Sequence, residues 1–448
     1  MNAMAHRAHL LLVVLVQLLC LAAAVTVAFG SAGFRADLNH PYAGSPLSAH
    51  ELVRRSARAS RARLARLDAT LARHLGDPSA ADVPLAPLTD QGYTVSVGIG
   101  TPPQQQTLII DTASNPIWTQ CKLFRGTAAQ REPPYDPVKS SSFAFLPCSS
   151  WMCKKGQPGS TTCSNTTRRC LFGYNYGSAA ADGVIASEAF TLGARRKVRI
   201  PAVTFGCGNL TGGSLIGASG ILGLAPGAMS LVSQLKAPRF SYCLAPFSAR
   251  KPGALFFGAK ASLERYGRIG GIQTTSILKN PSPELASLYY YVPMVGLSIG
   301  SRRLAVPATS LAMKLDGSGG TIVDSGSTIM HLVEPAFKKL KDAVLGTLKL
   351  PVANTTTEDY KLCFSLPRGM LMSAVKTPPL VLHFGGGADM ILPQENYFQE
   401  PRPGLMCLAV SSSNSLSMIG NVQQQNMHVL FDIVKLKFSF ARAQCDLM

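Results

Sequence analysis

Charge is scarce in this chain. Only 15% of its 448 residues are Asp, Glu, Lys or Arg, aromatics make up 7%, and there are 2 Trp. Because 46% of the residues are hydrophobic, low charge here excludes a disordered chain and leaves ample core material for two or three domains. Long apolar runs are also missing after Leu10 to Phe29, which excludes a polytopic membrane protein. No CxxC pair occurs, so the cysteines do not have the spacing of a zinc site, and no metal or cofactor is expected. Ser-His-Asp hydrolysis is disfavoured as well. The net charge of +19 is spread over hundreds of residues without a basic stripe, and this excludes a nucleic-acid partner.

What is present reads as an exported protein. A weakly positive start, the apolar run and then small residues (Ala22 to Ala24, Gly30 to Ala32) mark residues 1–30 as a signal peptide. A membrane partner is expected only if that segment stays uncleaved. Removing Cys20 leaves an even set of ten cysteines that can all pair, and Asn165, Asn209 and Asn354 each open a glycosylation sequon. The expected location is extracellular (apoplast) or vacuolar. Residues 31–89 read as a propeptide. Leu52, Leu64, Leu67, Leu71 and Leu75 recur at helical spacing among Arg54 to Arg73, and a Pro-rich linker follows. Such a basic amphipathic helix fits against an acidic cleft. From about residue 90 short β-branched runs alternate with Gly and Pro.

Within that body one design occurs twice. Leu108, Ile109 and Ile110 run into Asp111, Thr112, Ala113 and Ser114. Ile322 and Val323 run into Asp324, Ser325, Gly326, Ser327 and Thr328. About 100 residues after each comes an apolar-apolar-Gly segment, Ile221-Leu222-Gly223 and Met418-Ile419-Gly420. A matched pair of Asp turns with matched partners indicates internal duplication. Each carboxylate ends a buried strand, where neighbouring hydroxyls and N–H groups offset its burial.

With these segments the chain resembles pepsin-type aspartic proteases, and in particular the plant nepenthesin-like branch. "YTVSVGIGTPPQQQTLIIDTASNPIWTQC", "ASGILGLAPGAMSLVSQL", "GTIVDSGST" and "MIGNVQQQNMHVLFDIVKLKFSFARAQC" carry the resemblance in order. It implies a mostly β, bilobal fold with a cleft between pseudo-symmetric lobes, here 90–270 and 271–448. It also implies a monomeric endopeptidase acting on polypeptides at acid pH. Asp111 and Asp324 would share one proton and activate water, because two carboxylates at one site do not both ionise easily. The resemblance gives Thr112, Ser114, Ser325, Gly326 and Ser327 the support of that pair. It makes Tyr176-Gly177 the flap, with Trp118 bonded to the flap Tyr. It pairs Cys207 with Cys445 and Cys363 with Cys407. Departures from the family pattern, Ala113 for the usual Gly and Ala179 in the flap, keep a second reading open: a non-catalytic secreted binding or inhibitor protein of the same fold. His383 and His428 sit in strand-like runs and read as structural histidines.

Overall fold

The computed structural model describes residues 33–40, 48–74, 92–124, 130–156, 161–176, 179–194, 196–212, 215, 217–354 and 360–448. The signal-peptide segment, the linker after residue 74 and Gly177 lie outside the described residues.

The run into Asp111 lacks polar alternation, so both faces of its strand must be covered. Strand Gln104–Asp111 accordingly lies inside a nine-stranded sheet, between antiparallel Thr94–Ile99 and parallel Gly220–Gly223. Trp118–Gln120 then runs antiparallel to Gly220–Gly223 and parallel to Val198–Gly212. The second half repeats this order. Thr321–Val323 is parallel to Ser417–Ile419, and Met330–Val333 runs antiparallel to that strand and parallel to Val410–Ser413. The duplication read from the Asp turns is thus a duplication of four strands.

The glycine ending each apolar-Gly segment has one steric reason. A Cβ on Gly223 would meet the carbonyl oxygens of Asn115, Ser114 and Pro116 at 2.5–2.7 Å. One on Gly420 would meet those of Ile329 and Thr328 at 2.6 Å. In both halves the chain that follows the Asp crosses this point, and only glycine leaves room for it.

A six-stranded sheet joins the halves. Its order is β1 (Phe34–Leu38), Gly253–Phe257, Arg239–Cys243, Met427–Asp432, Lys437–Ala443 and Arg268–Ser276. The 270/271 boundary expected from sequence falls inside Arg268–Ser276, a strand of this shared sheet. Strand β1 was not expected, since the region before the body reads as helix and linker. Its five residues alternate: Phe34, Ala36 and Leu38 are buried, while Arg35 and Asp37 pair at 2.7 Å on the outer face.

Helix α1 (Ala49–His74) is the expected basic helix. Its first turn is tied by the Glu51 N–H to Ser48 Oγ at 3.2 Å, and Glu51 bonds Arg55 at 2.7 Å. The buried face is wider than the leucine stripe, because Ser56, Ala57, Ser60 and Arg63 are buried beside Leu64, Leu67 and Leu71. No helix among the described residues is long and apolar enough to cross a membrane.

Five disulfides are formed among the described residues. The expected Cys207–Cys445 pairing is corrected: Cys207 bonds Cys121, and Cys445 bonds Cys243. Register explains the first, because Trp118–Gln120 lies beside Cys207 with Thr119 level with it, which brings Cys121 to the same edge. Cys363 bonds Cys407, its direct partner across an antiparallel pair. Cys148–Cys163 and Cys153–Cys170 complete the set.

Candidate active site

Each Asp stands where its strand ends. The Ala113 N–H donates to Asp111 Oδ1 at 2.9 Å, and the Gly326 N–H donates to Asp324 Oδ1 at 2.9 Å. Ser114 Oγ donates to Asp111 Oδ2, as Ser327 Oγ donates to Asp324 Oδ2 at 2.7 Å. The next residues lock the turns together. Thr112 Oγ1 accepts from the Ser325 N–H at 3.0 Å and donates to the Val323 carbonyl at 2.9 Å. Ser325 Oγ accepts from the Thr112 N–H at 3.1 Å and donates to the Ile110 carbonyl at 3.4 Å. This reciprocal grip fixes the two carboxylates relative to each other, and both are fully buried.

Between them lies a side chain that the sequence reading did not single out. Arg63 of α1 donates from Nη2 to both Asp111 oxygens at 2.8 Å. The same guanidinium reaches Asp324 from Nε at 2.7 Å and from Nη2 at 3.1 Å. One planar cation thus ties both carboxylates, an arrangement suited to the fork geometry of arginine. Burial pushes Asp111 up to about 6; Arg63 pulls against that shift, and Asp324 adds to it.

Helix α1 fills the cleft on either side of Arg63. Toward its C-terminus Leu64, Leu67 and Leu71 join an apolar cluster with Leu285, Tyr289, Ile322, Met418 and Ala113. Asp68, raised by burial, accepts from Ser415 Oγ, which lowers it in part. Toward its N-terminus Ser60 Oγ lies 3.2 Å from His331 Nε2 and accepts from the Ile329 N–H at 3.3 Å. Further back, Ala57 packs in the cluster holding Tyr360 and the Cys363–Cys407 disulfide.

The flap reading is only partly addressed. Of Tyr176 the backbone alone is described, paired with Ala179 at the end of its hairpin. Trp118 is fully buried, and its Nε1–H has no hydrogen-bond partner among the described residues. Two residues earlier, Tyr174 donates to Ser114 Oγ at 2.9 Å, extending a chain from Tyr174 through Ser114 to Asp111. Burial, then the Asp111 charge, raises the Tyr174 phenol, which keeps it a donor.

Ala113 proves compatible with the turn, since its N–H makes the same bond as that of Gly326. The asymmetry lies in the space above. A methyl on Gly326 would meet Asp111 Oδ1 at 2.6 Å and Arg63 Cζ at 2.9 Å, whereas Ala113 carries its methyl into the leucine cluster.

Other chemistry-bearing groups resolve as structure. His383 bridges Ser298 Oγ at 2.6 Å and Asp389 at 2.7 Å, a Ser-His-Asp chain by connectivity. Ser298, the centre of the G-x-S-x-G string Gly296 to Gly300, is however 5% exposed and lies in the ladder between Val381 and Arg303, next to a strand-to-strand hairpin and not at a strand-to-helix elbow. His428 is fully buried, bonded to Ser241 at 3.0 Å and set against Phe256 and Tyr266. Of the sequon asparagines, Asn165 and Asn354 are exposed and Asn209 is half-buried in a long strand.

Comparison with known proteins agrees with this architecture. The family models described as xylanase inhibitor N-terminal and C-terminal match residues 93–259 and 289–442. The aspartic proteinase nepenthesin-1 of Nepenthes gracilis is 38% identical over 416 residues, 92% of this chain and 90% of its own. Aspartyl protease 37 of Oryza sativa subsp. japonica is 34% identical, covering 96% of this chain and 98% of its own. Among solved structures, edgp aligns with a TM-score of 0.66 at 18% identity over 93% of this chain and 96% of its own. Basic 7S globulin from soybean aligns with a TM-score of 0.63 at 17% identity over 80% of this chain and 96% of its own. At those identities the two structures speak to the fold, which is mostly β and pepsin-like with two lobes. The sequence relatives, close in both length and identity, say more: the chain belongs to the plant pepsin-like aspartic protease family that includes the nepenthesins.

Proposed function

We propose that this chain is the zymogen of a secreted or vacuolar aspartic-type endopeptidase acting on polypeptides at acid pH. One observation carries the reading: two buried carboxylates at duplicated positions converge on a single guanidinium. A site that holds a planar cation between two carboxylates can hold a water there once the cation leaves. With one proton shared across the pair, one carboxylate takes a proton from that water and the other donates to the scissile carbonyl. Tyr174 and Ser114 orient Asp111, and Ser327 orients Asp324. Residues 31–89 act as the propeptide, with β1 anchoring it to the shared sheet and α1 closing the cleft. The five disulfides fit an oxidising compartment.

The xylanase-inhibitor description of the two matching family models keeps the binding-protein reading in view, and retention of both Asp with the full reciprocal grip favours the enzyme. The test is acid-treated full-length protein on denatured globin, with and without pepstatin. Pepstatin-sensitive cleavage is expected. Absence of cleavage at every acid pH would favour the binding protein.

Ala113 makes the same dyad bond as Gly326 and turns its methyl into the leucine cluster, so Ala113→Gly should leave kcat within about twofold and raise KM for substrates with an apolar side chain there. Steady-state kinetics on acid-activated protein checks this. A several-fold rise in kcat would show that the methyl displaces the dyad.

A further inference from the structure

The N-terminal half of α1 occupies a part of the cleft that the dyad chemistry leaves unused. Ser60 lies three residues before Arg63, so it sits about 4.5 Å along the helix from the guanidinium that marks the reacting centre. Its hydroxyl meets three groups of the C-terminal half. It accepts from the Ile329 N–H at 3.3 Å, lies 3.4 Å from the Ile329 carbonyl and lies 3.2 Å from His331 Nε2. Both Ile329 and His331 are 1% exposed.

Two of these groups find their partner in the helix and not in their own sheet. Met330 and Val422 donate to neighbouring carbonyls, but the Ile329 N–H makes its bond to Ser60. His331 pairs through its backbone with Ser411 and Met418, its ring is held on one side by the Ser412 backbone, and it faces Ser60 of α1 through Nε2. When α1 leaves, an N–H, a carbonyl and an imidazole nitrogen face the open cleft together. Buried polar groups of this kind demand replacement partners. An extended peptide has a backbone for Ile329 and a side chain for His331.

We propose that His331 is a specificity-determining residue: with the Ile329 backbone it forms a subsite that takes a hydroxyl side chain of the substrate, Ser or Thr, where the helix now places Ser60. This rests on the peptidase reading above. A hydroxyl suits the site because it donates and accepts at once, as Ser60 does between Ile329 and His331. At 3.3–3.4 Å per residue of extended chain, the subsite falls one to two residues from the cleaved bond. On the other side of Arg63, the pocket vacated by Leu64 and Leu67 is lined by Leu285, Tyr289 and Met418 and is apolar. The substrate is therefore read by a hydroxyl on one side and an apolar group on the other.

The experiment is cleavage-site profiling of a peptide library by the acid-activated full-length chain and its His331→Leu and His331→Gln variants. Expected is an enrichment of Ser and Thr over Ala of about tenfold at one position within two residues of the cleaved bond. That figure corresponds to one well-made hydrogen bond. His331→Leu should bring the ratio to about one while preferences at other positions persist, and His331→Gln, which keeps a donor and an acceptor, should retain part of it. An unchanged profile in both variants overturns the proposal, as does enrichment of Asp and Glu in place of Ser and Thr. If the wild type cleaves nothing, the peptidase reading itself fails. Cleavage without a hydroxyl preference overturns only the subsite.

Discussion

Replacing Arg63 with Gln is expected to release the cleft in the full-length chain at a pH one to two units above that needed by the wild type. Arg63 is 3% exposed and answers the charge of both Asp111 and Asp324. Removing one partner of such a buried ion pair typically costs about 3–5 kcal/mol, because the remaining charges lose their counter-charge. Here the molecule has an escape: the helix undocks and water reaches the dyad. A loss of that size weakens docking by roughly a hundredfold to a thousandfold. Arg63→Lys should fall between, since it keeps the charge and loses the fork. Time courses of globin hydrolysis from pH 7 to 3 for the three proteins give the measurement. Identical activation pH in wild type and Arg63→Gln would mean the helix is held by its leucines and not by its charge.

The pH at which the wild type opens follows from the signs of three titrations. Burial raises Asp111 and Arg63 pulls it back, so undocking, which admits water as it removes Arg63, acts on it in two opposed ways. The Arg63 part is an attraction to the charged carboxylate, present at high pH and lost as pH falls and Asp111 takes a proton. His331, lowered to about 4 chiefly by burial, acts in the same sense, because exposure returns it toward its ordinary value and protonates it. Asp68 acts in the opposite sense. Burial against the body raises it, so docking binds its proton and is favoured as pH falls. Acid opening therefore requires the lost Arg63 attraction and His331 to outweigh the burial of Asp111 and Asp68, and the double contact of Arg63 with both carboxylates works toward that.

The sequence made some of this legible and hid the rest for physical reasons. Asp111, Asp324 and the two apolar-Gly segments are local patterns imposed by steric contact, so they repeat in the sequence wherever the fold repeats. Arg63 is one of several arginines on an amphipathic helix, and nothing local separates it from Arg61 or Arg66. What selects it is the register of α1 in the cleft. Tyr174 and Tyr176 stand two apart in a strand pattern of period two, so spacing alone cannot say which approaches Ser114. Strand β1 is five residues of weak alternation whose partner lies more than 200 residues away. The Cys207 pairing failed similarly, because it depends on which strands become neighbours within the sheet and not on separation along the chain.

Asp111→Asn and Asp324→Asn are each expected to reduce peptide hydrolysis by at least about a thousandfold, within the range that positioned acid–base groups contribute. An amide cannot take the proton from water or return one to the carbonyl. The two substitutions should differ in what they do to the fold. Asp324 receives its hydroxyl bond from Ser327, whose other contact is the weak acceptor Sδ of Met418 at 3.2 Å. That hydroxyl can turn and accept from an amide with little loss. Asp111 receives its bond from Ser114, which already accepts from Tyr174 at 2.9 Å. An Asn amide pointed at Ser114 would compete with the Tyr174 phenol, so Asp111→Asn should lower the melting temperature more than Asp324→Asn does. Both variants keep one carboxylate for Arg63, and both should retain the docked helix and the five disulfides. Hydrolysis within about tenfold of wild type in either variant is incompatible with catalysis by a carboxylate pair. Full loss of activity with unequal loss of stability is the pattern that the Tyr174–Ser114–Asp111 chain demands.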